Sequence, residues 1–229
     1  MRALAILAAV MVGGCSSLIA NFEDDRVGFP PSTSPAGYPD DEIALSFAFQ
    51  GSVRGIPITD PTSVRNGRQS LEVIANSSVT FRSQPIPEQQ QAGRHRVSFL
   101  FQDGTARGKT ISLSQGGSTA VRFRLVGDTL TIRGADAADE QAFSIRTLGA
   151  ASLVTIIVDP PTGQTRVVWR TASETVSWTT MFAAPGEGRV TRFTLSFGMD
   201  NGGDFPRGQI SIDEVRATWS PRITVTNPS

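Results

Sequence analysis

The chain has very few of the residues that most often carry covalent or metal chemistry. Its 229 residues include one cysteine, one histidine and one tyrosine. A single Cys cannot form an internal disulfide, and a single His excludes metal sites built from several imidazoles. Charge of one sign is not in excess either, because 21 basic side chains balance 21 acidic ones. Without a block of positive charge, the sequence does not indicate a nucleic-acid partner.

What is present suits an ordinary globular domain. Hydrophobic residues make up 39% of the chain and charged residues 18%, which supplies enough apolar material for one core. Lys109 is the only lysine, so arginine carries nearly all of the positive charge. No apolar run reaches the roughly 20 residues that a membrane-spanning helix needs.

The first residues are typical of a targeting segment. Arg2 precedes a run of apolar residues at 3–12, and Gly13 and Gly14 then lead to Cys15. This order resembles the bacterial lipobox, in which the Cys thiol receives a diacylglyceryl group before cleavage ahead of it. An ordinary signal peptide that ends by chance at the only Cys is the alternative. Ser16 after the Cys resembles the outer-membrane sorting pattern of Gram-negative lipoproteins.

The resemblance therefore implies a lipid-anchored protein at the bacterial outer membrane, on its periplasmic or its surface-exposed side. It divides the chain into a signal peptide at 1–14 and a lipidated N-terminus with a Pro-rich tether or loop at 15–41. The prolines of this second segment, at 30, 31, 35 and 39, break both helices and strand ladders. A β-sandwich domain at 42–221 and a C-terminal tail at 222–229 complete the expected organisation.

Apolar and polar residues alternate along most of the remaining chain, as half-buried antiparallel strands require. The alternating segments lie around 43–49, 71–73, 79–81, 95–101, 111–113, 121–125, 130–132, 143–145, 154–158, 167–169, 176–178, 193–197 and 210–219. Turn-forming residues separate them, and only 135–141 has local helix character. So many strands without long helices predict an all-β fold of two packed antiparallel sheets.

Two short motifs point to a family of such folds. A strand ending at Asp159, the turn at 160–163 and the closing segment at 208–216 resemble the laminin-G-like and concanavalin A-like jelly rolls. The segments at 66–71 and 212–215 also resemble carbohydrate-binding modules with the galactose-binding-like jelly roll, which is the alternative topology. Both resemblances imply a β-sandwich, and they differ in its topology.

Motifs for catalysis are missing or incomplete. The segment from Asp103 to Thr110 approaches a P-loop, but Gly104 is one residue too close to Gly108 and a strand follows instead of a helix. It is interpreted as a hairpin turn, and no nucleotide is expected. No strand carries the alternating carboxylates of concanavalin-type glucanases, and His95 is in phase with buried positions. The chain is therefore predicted not to be an enzyme.

Candidate ligand-binding residues fall into two groups. The first combines Tyr38, an aromatic side chain that an exposed sugar site could use, with Asp200, Asn201 and Asp204. These three polar residues suit a sugar or a calcium ion, although a plain loop is the simpler interpretation of this segment. Arg122 and Arg124, together with the arginines at 166, 170, 192 and 216, suit an anionic glycan if they share one face. The competing interpretation is that the chain simply uses Arg for its surface charge.

The three tryptophans are not expected to form a sugar-binding surface. Trp169, Trp178 and Trp219 are in phase with apolar neighbours and are expected in the core.

A structural calcium ion is the one cofactor considered. Glu23 and Asp25 near the N-terminus and Asp213 in the closing strand offer the hard oxygen ligands that Ca²⁺ prefers. The favoured interpretation is ordinary solvated carboxylates without a metal.

Three functions follow, in order of preference. The first is a non-catalytic binding module for carbohydrate or cell-envelope glycan. The second is an envelope assembly or scaffold lipoprotein that binds another protein through a sheet edge or an exposed patch. The third is a glycan hydrolase with a degenerate motif.

Overall fold

The computed structural model describes residues 16–20, 46–50, 53–57, 69–74, 78–83, 85–104, 108–115, 118–135, 138–147, 149–182, 188–199 and 209–219. These residues form fifteen strands and one short helix. In chain order the elements are β1 (Ser16–Ala20), β2 (Ser46–Gln50), β3 (Val53–Pro57), β4 (Gln69–Ile74), β5 (Ser78–Arg82), α1 (Glu88–Gln91), β6 (His95–Asp103), β7 (Lys109–Gln115), β8 (Ser118–Val126), β9 (Thr129–Arg133), β10 (Glu140–Ser144), β11 (Ala151–Asp159), β12 (Gln164–Arg170), β13 (Thr175–Met181), β14 (Phe193–Met199) and β15 (Gln209–Trp219).

The strands form two antiparallel sheets. The eight-stranded sheet has the order β13-β12-β11-β6-β15-β4-β3, with β1 also paired to β15. The seven-stranded sheet has the order β10-β9-β8-β7-β14-β5-β2. Strands that are neighbours in a sheet are often distant in the chain, as in the pairing of β15 with β6. The predicted all-β sandwich of two antiparallel sheets is therefore confirmed.

The long strand β15 organises the centre of the eight-stranded sheet. On one side it pairs with β6 along most of its length. On the other side its first residues pair with β4, and its last residues pair with β1. A register shift between Asp213 and Arg216 interrupts the ladder with β6, as a β-bulge does.

The core lies between the sheets and is built by the alternation of each strand. In β6, for example, every second residue from His95 to Asp103 is buried, and Arg96 on the opposite face is exposed. Trp169 is fully buried and makes edge-to-face contacts with Phe101 and Phe123, with ring centroids 5.7 Å away in both cases. Trp178 and Trp219 are also buried, so the prediction that all three tryptophans belong to the core is confirmed.

The local helix signal at 135–141 is wrong. Glu140 begins β10 instead, which pairs with β9 so that Phe143 lies opposite Leu130. Phe143 packs against the core from this position. Burial of one aromatic side chain in a ladder outweighs the weak helix propensity of a short polar segment. Among the described residues, the helix lies at Glu88–Gln91, where no periodicity had indicated it.

The connection after Asp103 is not a hairpin either. β6 belongs to the eight-stranded sheet, whereas β7 belongs to the seven-stranded sheet. The chain therefore crosses from one layer to the other between Asp103 and Lys109. True hairpins occur at Gly127 and Gly163, whose φ angles of 57° and 66° are readily adopted by glycine.

Two described strands had no counterpart in the alternation pattern. β3 covers Val53–Pro57, and β1 covers Ser16–Ala20. β1 lies within the segment expected to be a tether or loop, and it joins the sheet directly after Cys15. The Pro-rich residues 21–41 lie outside the described residues, as do the tail and the signal segment.

Candidate functional site

The most distinctive surface is an open groove on the outer face of the eight-stranded sheet, which we call the arginine groove. Two adjoining depressions of about 570 and 270 Å³ share Arg96 and Leu153. The groove is defined by its lining residues: Arg96, Ser98, Leu100, Leu153, Thr155, Ile157, Arg166, Val168, Arg170, Glu214, Arg216 and Thr218.

The strand register explains why these side chains meet. Arg96 of β6 lies opposite Ile157 of β11, and Ile157 lies opposite Arg166 of β12. Two residues further along each strand, Ser98, Thr155 and Val168 form the next row. Because residues directly opposite in a ladder point to the same face, the outward positions of four strands line one surface.

The groove carries a surplus of positive charge. Four arginines line it, Arg96, Arg166, Arg170 and Arg216, and all four are exposed. Its only described carboxylate is Glu214, which is bound by Arg216 through Nε at 2.7 Å and through Nη2. Within the described part of the chain, the other three guanidinium groups make no ion pair. They are therefore available to an anionic ligand.

The bulge in β15 positions the ion pair between Glu214 and Arg216 in the arginine groove. Glu214 has a φ of 51°, the only positive φ of a non-glycine residue among the described residues. Such a conformation is sterically costly, and here it belongs to the bulge where β15 slips against β6. Asp213 is fully buried, and its Oδ1 accepts a hydrogen bond of 2.8 Å from the Glu214 amide. The bulge thus turns Glu214 toward Arg216 at one end of the groove.

Aliphatic side chains form the floor between the arginines. Leu153, Ile157 and Val168 face outward and are partly exposed, and Leu100 is nearly covered. An apolar floor with separate cationic groups suits a ligand that combines C–H surfaces with acidic groups.

The structure places the six arginines considered as one anionic-glycan site on two different sheets. Arg122 and Arg124 lie on β8, opposite Ser112 and Thr110 on the outer face of the seven-stranded sheet. Arg192 precedes β14 of that same sheet. The six arginines therefore do not share one face, which was the condition for a single site, because their strands belong to different layers. Only the arginines at 166, 170 and 216 converge.

Arg96 was missed by the sequence-based prediction. It stands between His95 and Val97, which are both buried, so alternation alone places it on the outer face. What alternation cannot supply is the pairing of β6 with β11 and β15, which makes Arg96 the centre of the groove.

Most of the other predicted site residues lie outside the described residues. These are Cys15, Tyr38, Asp200, Asn201 and Asp204, and the calcium candidates Glu23 and Asp25. Asp213 is described, but its two proposed co-ligands are not. Among the residues that are described, no three His, Cys, Asp or Glu side chains gather as a metal site would require. The calcium site stays a prediction.

A buried ion pair lies at the crossover between the sheets. Lys109 Nζ is 2.5 Å from the carboxylate oxygens of Asp103, and both side chains are completely buried. Desolvation lowers the pKa of Lys109, and its hydrogen bond and charge attraction to Asp103 act in the opposite direction. Thr147 Oγ1 donates to the same carboxylate at 3.4 Å. The pair joins β6 to β7 and is enclosed, so it serves the fold and not the groove.

His95 is a structural histidine, as predicted. It is fully buried, its ring lies 5.4 Å from that of Phe193 in an edge-to-face contact, and Nε2 is 3.2 Å from the Gln91 carbonyl. Burial lowers its pKa, and the hydrogen bond to Gln91 partly offsets this. A neutral ring packed in the core at the inner face of β6 cannot reach the arginine groove on the outer face.

The carboxylates of the arginine groove can be compared with those of glycoside hydrolases. Glycoside hydrolysis uses a pair of carboxylates across the scissile bond. The described lining of the groove holds Glu214 alone, and this residue is already paired with Arg216.

No helix in the described part of the chain is long and apolar enough to cross a membrane.

Comparison with known proteins places this architecture among lectin folds. No family model matches the chain, and no curated protein matches it by sequence. Among solved structures, winged bean acidic lectin in complex with methyl-α-D-galactose superposes with a TM-score of 0.56 at 12% identity, covering 91% of this chain and 100% of the lectin. The Lotus tetragonolobus seed lectin gives a TM-score of 0.53 at 14% identity, covering 78% of this chain and 94% of that one.

A bacterial protein of unknown function from Shewanella oneidensis MR-1 is similar to the same degree. Its TM-score is 0.52 at 13% identity, with 79% of this chain and 82% of that one covered. At these identities the likeness concerns the fold alone. The chain thus has a jelly-roll β-sandwich fold that is similar to the fold of these lectins.

Proposed function

We propose that this protein is a non-catalytic module that binds carbohydrate, and that its ligand is a glycan of the bacterial cell envelope. The observation that carries the proposal is the open groove with an aliphatic floor and ligand-accessible guanidinium groups on a lectin-type sandwich. The lectin fold neighbours support a carbohydrate ligand, since one of them was solved with methyl-α-D-galactose bound.

The N-terminal sequence supports a lipid anchor as the second part of the proposal. If Cys15 is acylated, the lipid is attached immediately before β1, whose Ser16 lies opposite Trp219 at the end of β15. The anchor would then be fixed at one end of the eight-stranded sheet. That end also carries His95, which is opposite Trp219 on the other side of β15. A strand that begins directly after the anchor would hold the sheet near the membrane surface.

The glycan part is tested by binding of the full chain to an array of neutral and acidic glycans and to envelope polysaccharide, with and without Ca²⁺. Binding to at least one glycan class is expected. Blank results under both conditions would contradict the proposal. In that case, crosslinking in native membranes tests the alternative of an assembly lipoprotein, which requires a band larger than the monomer.

The anchor is tested by Cys15→Ala in the native host. We expect the variant to be unprocessed or released from the membrane fraction, because the acyl acceptor is lost. Cys15→Ser keeps nearly the size of Cys but also lacks the thiol. It should therefore behave in the same way, which would show that the thiol and not the side-chain size matters. A variant that is still cleaved and still fractionates with the outer membrane would contradict lipidation.

A further inference from the structure

We propose that the arginine groove binds a linear acidic polysaccharide whose acidic groups are uronate carboxylates. The proposal rests on the proposed carbohydrate-binding function and names the ligand class for that same site. Three observations on the outer face of the eight-stranded sheet carry it: the charge of the groove, the spacing of its cations and the nature of its floor.

The charge of the groove is unbalanced by its own residues. Arg216 is paired with Glu214, but Arg96, Arg166 and Arg170 have no carboxylate partner among the described residues. Elsewhere on this sheet the chain does pair an exposed arginine, since Arg94 Nη2 lies 2.8 Å from Asp159. Three unpaired cations in one groove are complementary to a ligand with several negative charges.

The cations are spread over the sheet and not clustered at a point, with one separation across the strands and the other along β12. Arg96 and Arg166 are two strands apart, which corresponds to about 10 Å between their backbones. Arg166 and Arg170 lie on the same face of β12, four residues or about 13 Å apart. Each separation is comparable with the length of a disaccharide, so a chain with one acid group in every repeat can meet two of these guanidinium groups in either direction.

The existing pair shows the geometry that carboxylates adopt here. Glu214 accepts from both Nε and Nη2 of Arg216, which is the bidentate arrangement that guanidinium and carboxylate groups favour. A uronate carboxylate offers the same two oxygens to Arg96 or Arg166.

The floor distinguishes a glycan from other polyanions. Leu153, Ile157 and Val168 lie between the arginines and present C–H surface, which complements the apolar face of a sugar ring. Aromatic side chains on which bases stack, as single-stranded nucleic-acid sites use, are not among the described lining residues. An acidic glycan therefore fits the groove better than a nucleic acid does.

The test measures binding of the full chain, kept in mild detergent, to alginate as the polyuronate and to dextran as the neutral polymer. DNA serves as the other polyanion. The variant Arg96→Gln with Arg166→Gln removes two unpaired cations from the groove. The matched control, Arg82→Gln with Arg133→Gln, removes two arginines from the outer face of the seven-stranded sheet, where they lie on β5 and β9.

We expect alginate to bind, dextran to bind at least ten-fold more weakly, and added salt to weaken the complex. The groove variant should lose about ten-fold in affinity for alginate, and the control should stay within about two-fold. Equal thermal unfolding midpoints for the two variants show that the loss is not a folding defect.

Each other outcome overturns the inference in a recognisable way. Binding to dextran that the groove variant does not alter would overturn the acidic ligand while leaving the proposed carbohydrate function standing. Equal binding to DNA would show a non-specific polyanion surface. No binding to any glycan would overturn both the inference and the proposed function.

Discussion

Replacing Lys109 by methionine tests the buried ion pair, because methionine has a similar volume and no charge. In the native protein Lys109 and Asp103 are fully buried and 2.5 Å apart. The substitution leaves the Asp103 carboxylate in the interior with the Thr147 hydroxyl at 3.4 Å. Breaking a buried pair in this way costs about 3–5 kcal/mol, which corresponds to a Tm lower by about 6–20 °C for a domain of this size.

Urea unfolding at pH 7 measures this loss of stability. Arg94→Met is the matched control, since its pair with Asp159 is largely exposed and should cost less than about 1 kcal/mol. The double variant Lys109→Met with Asp103→Leu should recover most of the loss, because apolar replacements of a buried pair are often neutral or stabilising. A single variant as stable as wild type at pH 7 would refute this reasoning.

Two other predictions concern single residues. Burial lowers the pKa of His95, so between its folded pKa and 6.5 the unfolded chain binds more protons, and stability should fall on acidification through that window. Urea unfolding at pH 7 and pH 5 checks this, and the extra loss should disappear in His95→Gln; an unchanged loss would speak against a neutral buried ring. A Cβ at Gly134 would collide with the Oγ1 of Thr180, so Gly134→Ala should cost about 1–3 kcal/mol. Gly198→Ala, whose added Cβ meets only Ser78 at 4.0 Å, should change the Tm little in the same thermal scan, and equal Tm values for the two variants would argue against the clash.

Period-two alternation was sufficient to predict most of the strands. It worked where one face is buried, as in β6 and β14, since the pattern of buried residues is then the pattern of apolar residues. It found only the end of β10, at 143–145, and missed its first residues, because four of the five residues of this strand are exposed and only Phe143 is partly covered. An edge strand that buries one side chain leaves almost no periodic signal. β1 was missed because its residues follow directly on an apolar targeting pattern.

The site was less predictable because it depends on which strands are neighbours. Arg124 and Arg166 look alike in the sequence, since each alternates with buried residues of its strand. The first lies on the seven-stranded sheet and the second on the eight-stranded sheet. Sheet membership follows from long-range pairing, such as that of β6 with β15, and no local pattern encodes it. The outward direction of an arginine was therefore predictable, while its place beside other arginines was not.

Hydrogen exchange of the full chain with and without an alginate oligosaccharide tests the central claim most directly. If the ligand lies in the arginine groove, the added protection should fall on β6, β11, β12 and β15, around Arg96, Ile157 and Arg166. Strands β8 and β9 of the seven-stranded sheet should exchange as before. Protection confined to the seven-stranded sheet or to residues 200–204, with the arginine groove unchanged, would contradict the account.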